Sequence, residues 1–593
     1  MDHSITLLPL LVLIAGAGFA LFLGAIPRFR WPTRLASWTT LLTIIAAWLL
    51  WLQRGRSLPT PPVLILWRPG ELFRVALLWR LTTLPWLIGA TFLGIGVAWA
   101  LFTATAPPIG WSSLRTLRRR ASQVHRIGLR LLRRGEEAKE ADAEASPPPN
   151  AEPPEAKSTG PLQSPLARAA ELLLLATALA TLTAGNFVTL AVTWGLVDLM
   201  LATTLALHGS AGGRRAGLTL AVNGPSILLL MMVALLAQDL PGGGDLTRTV
   251  LEPPASVWLM GAAVLRLGLY PLHLWVPLDL ESEPAKALPV YLVPPLVALA
   301  LWARLPALLG NVLPPRVGPI AGATLLVGAV AAWGEADRRR SVPLLAMAGL
   351  GLVALTATVA PQAVAEPIVV LGTLLWMLTV SLLALGWGFQ HRRPGWSLPY
   401  TVTLLSALGL PGTLGFPLRT ILYQYVVLLT PGGPLLALVT LLGETIWIAT
   451  LLRFWWSLPL PGGGSGEQRI RQAVGSAIPA LLLLFLGLRL GWPLVEPMLQ
   501  ASDRATWLGW GLPLIAGGLL AWWGHRVWSY VANVWTSVTE VLCLDWLYGL
   551  LYSLAWQAAR LLRGTLGTFE GEGALLWVAL TLLLLVLFLQ GGL

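Results

Sequence analysis

The sequence predicts an all-α polytopic membrane protein with about 15–17 transmembrane helices, broken helices and a C-terminal surface (lateral) helix. Three observations support this fold class. Of the 593 residues, 56% are hydrophobic and 11% are charged, whereas about a quarter of the residues of a soluble domain are charged. Apolar runs of roughly 18 or more residues, each long enough to span a bilayer as a helix, recur from end to end. The 30 tryptophans suit the interfacial belts at the ends of such helices.

Composition also limits the classes of function. The single cysteine, Cys543, excludes an internal disulfide, a cysteine-ligated iron–sulfur cluster and a multi-cysteine zinc site. The six histidines are scattered, and the chain carries no P-loop, dinucleotide-binding or nucleophile-elbow motif. We therefore expect no cofactor and no metal. The net charge of +12 comes from arginines in short loops between apolar runs, as the positive-inside rule expects, so we expect the lipid bilayer rather than nucleic acid as a partner.

Residues 1–111 predict an N-terminal three-helix segment, with helices at about 5–26, 36–52 and 79–104. The first run follows "MDHS", which lacks the basic residues of a signal peptide, so we interpret it as a transmembrane helix. The basic loop "RFRWPTR" (28–34) favours a cytoplasmic loop and an outside N-terminus. Residues 112–165 predict a cytoplasmic linker, with a basic amphipathic part suited to anionic headgroups and then an acidic Pro/Ala-rich part.

Residues 166–523 predict the transmembrane core, roughly a dozen helices joined by short Gly/Pro turns. The remaining residues, 524–593, divide into two parts. The stretch 525–562 is long, helical in pattern and only partly apolar, which is typical of a helix lying along the membrane surface. A last span at about 574–590 closes the chain.

One stretch, "LRLGLYPLHLWVPLDLESEP" (265–284), interrupts an apolar run with prolines and charges. It resembles the signature of the antiporter-like subunits of respiratory complex I and the Mrp antiporters. In that family a lysine lies five residues before P-F-H-x-W-L-P. Arg266 occupies the lysine position here, and Pro271, His273, Trp275 and Pro277 match the motif. The charges that follow, Asp279, Glu281, Glu283 and Lys286, are interpreted as a solvated loop.

Further segments resemble the same family in the same order. They are "AGNFVTLAVTWGLVDLML" (184–201), "ADRRRSVPLLAMAGLGLVAL" (336–355), "LLSALGLPGTLGFPLRTILY" (404–423), which contains Arg419, and "IWIATLLRFWW" (446–456), which contains Arg453. The C-terminal part with "LDWLYGLL" (544–551) is similar to the extension of the large distal complex I subunit. The resemblance covers about 166–590 and implies the antiporter-like fold.

The resemblance also implies proton translocation along a charged axis in mid-membrane, and here the sequence departs from the family. Gly195 stands at the position of the family's glutamate, and Arg266 at that of its lysine. An arginine keeps its proton at any accessible pH, so it cannot serve as a titrating relay. The segment "GTLLWMLTVSLLALG" (372–386) lacks the family's histidine and lysine. We therefore expect the family's scaffold with an impaired proton wire.

Four residues remain as candidates for a proton path: Asp198, Arg266, His273 and Glu444. Arg266, which does not titrate, could still tune water in a residual pathway. Each of the four residues also has a structural alternative. Asp198 follows Gly195 by one helical turn and could replace the missing glutamate, or it could form a locked ion pair with Arg266. His273 could relay protons or hydrogen-bond a broken backbone. Glu444 lies inside an apolar run and could exchange protons or bond a neighbouring helix.

Three functions follow as hypotheses. The leading one is a non-catalytic membrane-arm subunit of a complex I-like, NADH-quinone oxidoreductase type assembly in the bacterial cytoplasmic membrane. Its partners would be other membrane subunits, which would carry the electron transfer and the contact with quinone. The first alternative is a non-pumping structural scaffold of a larger energy-transducing membrane complex. The second is a component of a cation/proton antiporter or an inorganic-carbon uptake system.

Overall fold

The computed structural model describes most of the chain: residues 7–26, 32–65, 75–104, 164–207, 210–273, 285–310, 317–335, 337–385, 398–426, 433–456 and 466–542, with scattered positions from 550 to 560. It confirms the predicted all-α fold class. The chain divides into two compact units, residues 1–525 and 526–593. The predicted linker up to residue 163 and the predicted span at about 574–590 lie outside the described residues.

The N-terminal segment contains three long helices, as the sequence predicts. They are α1 (Leu8–Ala25), α2 (Pro32–Arg54) and α3 (Thr83–Thr103). Between α2 and α3 lies a short antiparallel hairpin of β1 (Val63–Ile65) and β2 (Leu77–Trp79), with Val63 opposite Trp79. The hairpin joins the core because the backbone N–H of Arg80 donates to Thr183 O at 2.8 Å.

The remaining helices follow in chain order. They are α4 (Pro165–Leu182), α5 (Phe187–Ala206), α6 (Ser210–Ala237), α7 (Ala255–Leu267), α8 (Leu288–Trp302), α9 (Leu305–Leu308), α10 (Val317–Gly334), α11 (Arg338–Val359), α12 (Gln362–Leu385), α13 (Leu398–Ala407), α14 (Gly415–Tyr425), α15 (Gly433–Trp456), α16 (Gly466–Leu486), α17 (Val495–Ala501) and α18 (Arg504–Leu542).

Twelve helices within the described ranges are long and apolar enough to cross a membrane. Three shorter apolar helices, α7, α8 and α13, add to them. Every residue of α8 is buried, and the apolar windows of α11 and α12 are completely buried, so these helices form the centre of the core. Helices α6 and α18 instead expose large apolar side chains, for example Leu228 and Ile515, as membrane-facing helices do. The chain is an integral, multi-pass membrane protein.

Two helices end at breaks that the prolines and glycines of the sequence predict. Helix α7 ends at Gly268, whose φ of 64° is left-handed and whose N–H donates to Val264 O and Leu265 O. Between α13 and α14 the chain turns through residues 408–414, where Gly409 and Gly412 have φ values of 71° and 83°. Glycine adopts such values without steric cost. Non-helical backbone at membrane depth is tolerated where protein or a cavity surrounds it.

The C-terminal part begins within one long helix. Helix α18 runs for 39 residues from Arg504 to Leu542 and therefore continues through the predicted domain boundary at residue 524. Residues 526–542 of this helix belong to the second compact unit and form the start of the predicted lateral segment. The predicted division into four domains stays a prediction.

Candidate functional site

The first charged site joins Asp198 on α5 to Arg266 on α7. Arg266 Nη1 lies 2.6 Å from both carboxylate oxygens of Asp198, and the two side chains are 0% and 3% exposed. From α6, the amide nitrogen of Asn223 donates to Asp198 Oδ1 at 3.0 Å. The structure therefore brings together two residues that the sequence singled out, as the ion pair that was their structural alternative.

The Arg266 guanidinium is only partly satisfied by this pair. Its Cζ lies 4.9 Å from the centre of the Trp194 ring, within cation–π range. Both contacts with Asp198 use Nη1, whereas Nε and Nη2 are buried without a hydrogen-bond partner in the described part of the chain. A forked arginine–carboxylate pair would use two nitrogens. The net stabilisation by this pair is therefore lower than its short distance alone would indicate.

Gly195 and Asp198 lie one helical turn apart on α5 and differ in burial. Leu196 and Leu199 are 43% and 52% exposed and mark the outward face, whereas Asp198 is 2% exposed. A Cβ built on Gly195 would meet no atom within 4 Å. The position of the family's glutamate is thus open here, and the carboxylate that enters the core is one helical turn further along.

The second charged site joins Arg419 on α14 to Glu444 on α15. Arg419 Nη2 donates to Glu444 Oε2 at 2.7 Å, and Nε lies 3.3 and 3.2 Å from the two carboxylate oxygens. The Tyr423 hydroxyl donates to the same Oε2 at 2.5 Å. The Arg419 and Glu444 side chains are 1% and 0% exposed. Glu444 was a predicted proton-path candidate, and the structure places it in a forked ion pair with an arginine.

Arg419 also holds the break between α13 and α14. Its Nη1 donates to the backbone oxygen of Leu408 at 2.5 Å, and the indole of Trp510 donates to Gly409 O at 3.2 Å. The break leaves carbonyl groups without helical partners, and these two donors satisfy them. One guanidinium therefore neutralises Glu444 and supports the backbone turn at the same time.

A third buried pair, Arg168–Glu171 on α4, was not predicted from the sequence. Arg168 Nη1 lies 3.1 Å from Glu171 Oε2, and both side chains are 5% exposed. The same guanidinium donates to the hydroxyl and the backbone oxygen of Thr103 and lies 5.3 Å from the centre of the Trp99 ring. The three-residue spacing of an arginine and a glutamate at the start of an apolar run was a signal that could have revealed it.

The other predicted residues lie apart from these pairs. His273 follows the end of α7, is 6% exposed and stacks on Tyr270 with ring centroids 5.5 Å apart. Arg453 donates to the carbonyls of Trp333 at 2.8 Å and Glu335 at 3.0 Å, at the end of α10. Trp275 and Pro277, with the charged loop from Asp279 to Glu283, lie outside the described residues, whereas Pro271 is part of the turn after α7.

A cavity of about 200 Å³ lies where the ends of α3, α4, α8 and α12 meet. Arg304, just after α8, lines it and donates to Ala184 O at 3.1 Å and Leu182 O at 3.0 Å. Burial lowers the pKa of Arg304 to about 10, although the charges of Glu366 and Asp245 partly oppose this. Neither Arg304 nor Glu366 belongs to a motif that the sequence singled out. Within the described ranges, no group of three or more His, Cys, Asp or Glu side chains could hold a metal ion.

Three solved structures share this fold. A chain of the Mrp complex from a Dietzia species is 18% identical with a TM-score of 0.68, over 98% of this chain and 62% of that chain. A chain of the membrane-bound sulfane sulfur reductase, an archaeal respiratory membrane complex, is 14% identical with a TM-score of 0.62, over 98% and 99%. A chain of respiratory complex I from Thermus thermophilus is 16% identical with a TM-score of 0.54, over 82% and 98%.

These comparisons confirm at the level of the fold the resemblance predicted from the motifs. The chain has the fold of the membrane subunits in Mrp-type and complex I-type assemblies. It spans 62% of the length of the matched Mrp chain. No protein-family model and no curated protein matches the sequence.

Proposed function

We propose that the chain is a membrane-arm subunit of a complex I-like, multi-subunit assembly in the bacterial cytoplasmic membrane, and that its own buried charges do not relay protons. Electron transfer and the contact with quinone would lie in partner subunits of the NADH-quinone oxidoreductase type. Support for the assembly comes from the solved structures that share the fold, each of which is a chain of a multi-subunit membrane complex.

One observation carries the second half of the proposal: in the described part of the chain, the cation in each buried ion pair is an arginine. Arg168, Arg266 and Arg419 face Glu171, Asp198 and Glu444 at 3.1, 2.6 and 2.7 Å. A relay needs a group that gains and loses a proton in each cycle, and a guanidinium keeps its proton. The adjacent guanidinium favours the charged form of each carboxylate, whereas burial opposes it. Such pairs act as fixed structural charges.

Two alternatives remain consistent with the same geometry. A scaffold without any part in translocation is favoured by the locked pairs themselves. A role in a cation/proton antiporter or an inorganic-carbon uptake system is favoured by the likeness to the Mrp chain, which has the highest TM-score of the three, 0.68. The antiporter alternative would be distinguished by the proteins that purify with the chain in mild detergent, because a complex I-like assembly brings redox subunits and an antiporter does not.

Proton uptake by the intact complex in proteoliposomes tests the proposal. The variants are Asp198→Asn and Glu444→Gln, which remove one carboxylate each and keep the size of the side chain. Glu252→Gln is the matched control, because Glu252 is an exposed acid between helices. We expect all three variants to translocate protons at the wild-type rate per electron. A loss confined to Asp198→Asn or Glu444→Gln, in complexes that keep all their subunits and the wild-type rate of electron transfer, would refute the claim that these carboxylates are structural.

A further inference from the structure

A small cavity lies beside the Arg419–Glu444 pair, between α11, α12, α14 and α15. Its volume is about 20 Å³. Leu418, the neighbour of Arg419 in sequence, and Trp447, one turn after Glu444, line it together with residues of α11. Helix α12 contributes Thr379 to the lining. The cavity therefore lies between α12 and the segments of α14 and α15 that carry the pair.

The cavity is large enough for one water molecule but lacks the partners to hold it. A water needs about 10–15 Å³ of such volume and two to four polar partners. The indole N–H groups of Trp376 and Trp447, which line the cavity, already donate to Ala346 O at 2.8 Å and Leu345 O at 3.4 Å. Among the side chains that line the cavity, Thr379 has a buried hydroxyl without a hydrogen-bond partner within the described ranges. One polar atom is too few for a stable water.

Near the cavity, helix α12 carries no side chain that could take up and release a proton. Its stretch from Ile368 to Leu385 is buried throughout and contains no titratable side chain. The hydroxyls of Thr373 and Ser381 donate to backbone oxygens of their own helix, at 2.7 and 2.6 Å. The single donor of each hydroxyl is thus already used, and these hydroxyls could only accept a hydrogen bond from a water molecule.

We propose that this cavity is dry and forms an apolar barrier to proton movement between α12 and the Arg419–Glu444 pair, with Thr379 as the residue at the barrier. The inference rests on the proposed function and adds the place at which the proton wire is interrupted. The cavity is large enough for a water molecule, but its lining has too few polar partners to bind one. Supplying polar atoms at residue 379 should therefore hydrate the cavity, and removing the hydroxyl should change nothing.

Radiolytic hydroxyl labelling of the intact complex tests the barrier directly, because it modifies side chains that touch bound water. Trp376 and Trp447 report on the cavity. Trp51, which is 0% exposed and whose indole N–H donates to Trp86 O, is the dry control. Trp455, 36% exposed, is the accessible control. We expect Trp376 and Trp447 to label at the rate of Trp51, about tenfold or more below Trp455. Labelling near the rate of Trp455 would overturn the proposal.

Two substitutions of similar size sharpen the test. Thr379→Asn supplies an amide with donors and an acceptor, so we expect labelling of Trp376 and Trp447 to rise; unchanged labelling would overturn the argument from polar partners. Thr379→Val removes the hydroxyl, and we expect unchanged proton uptake; a lower uptake would mean that the hydroxyl carries protons. These outcomes distinguish a failure of the barrier from a failure of the proposed function. Reduced proton uptake in Glu444→Gln, with Trp376 and Trp447 unlabelled, would refute the proposed function and leave the dry cavity standing.

Discussion

Removing Arg266 alone should strongly destabilise the protein, whereas removing both members of its pair should not. In Arg266→Met, the carboxylate of Asp198 keeps only its hydrogen bond from Asn223 at 3.0 Å, in a site where the side chain is 3% exposed. Leaving one charge of a buried pair without its partner costs about 3–5 kcal/mol of unfolding free energy. We expect a loss in this range for the single variant.

The double variant Arg266→Met, Asp198→Leu replaces both charges by apolar side chains. Such replacements are neutral or stabilise by about 1–4 kcal/mol. We expect the favourable end of that range, because Arg266 Nε and Nη2 lack hydrogen-bond partners in the described part of the chain, so the wild-type pair is incompletely satisfied. The double variant should therefore be at least as stable as the wild type.

The assay is titration of the purified protein in mild detergent with a denaturing detergent, followed by tryptophan fluorescence. Arg248→Met is the control, since Arg248 is an exposed arginine, and we expect a change within about 0.5 kcal/mol. The reasoning is refuted if Arg266→Met loses less than about 1 kcal/mol, which would mean a solvated pair. It is equally refuted if the double variant is as unstable as the single one.

Three further predictions use the same assay. Arg419→Lys should lose about 1–3 kcal/mol, because an ammonium cannot bind the Leu408 carbonyl and a carboxylate in the same fork; wild-type stability would contradict the double role of the guanidinium. Gly415→Ala should lose about 1–3 kcal/mol or more, because its Cβ would overlap a carbonyl oxygen of α13. Gly518→Ala is the control, because a Cβ at this position of α18 meets open space, and it should stabilise the protein by up to about 1 kcal/mol. Equal effects of the two substitutions would refute the close approach of Gly415 to α13. Arg453→Gln should lose about 1–3 kcal/mol, since two charge-assisted hydrogen bonds at the end of α10 disappear, and an unchanged value would contradict that assignment.

The sequence predicted the helices, and it predicted one of the three buried pairs found among the described residues, for identifiable reasons. Apolar runs mark membrane helices because length and composition are local properties, and α1 to α3 lie where those runs are. The Asp198–Arg266 pair could be anticipated because both residues interrupt apolar helices that the motif resemblance places near each other. Glu444 was predicted as an isolated carboxylate, because nothing local connects it to Arg419, which lies 25 residues earlier in a separate run.

The dry cavity and the open position of Gly195 could not be predicted at all. Both depend on how side chains of different helices pack. Thr379 is an ordinary threonine in the sequence, and only the placement of Trp376 and Trp447 around it shows that its hydroxyl lacks partners. Gly195 is similarly uninformative until α5 is placed, when Asp198 proves to be the residue that enters the core.

We propose that the buried carboxylates stay paired and do not change protonation during turnover. Infrared difference spectroscopy of the intact complex measures this directly, because a protonated carboxylic acid has its own C=O stretching band. We expect the turnover difference spectra of the wild type, Asp198→Asn and Glu444→Gln to be identical in that region. A carboxylic acid band that is present in the wild type and disappears in either variant would contradict it.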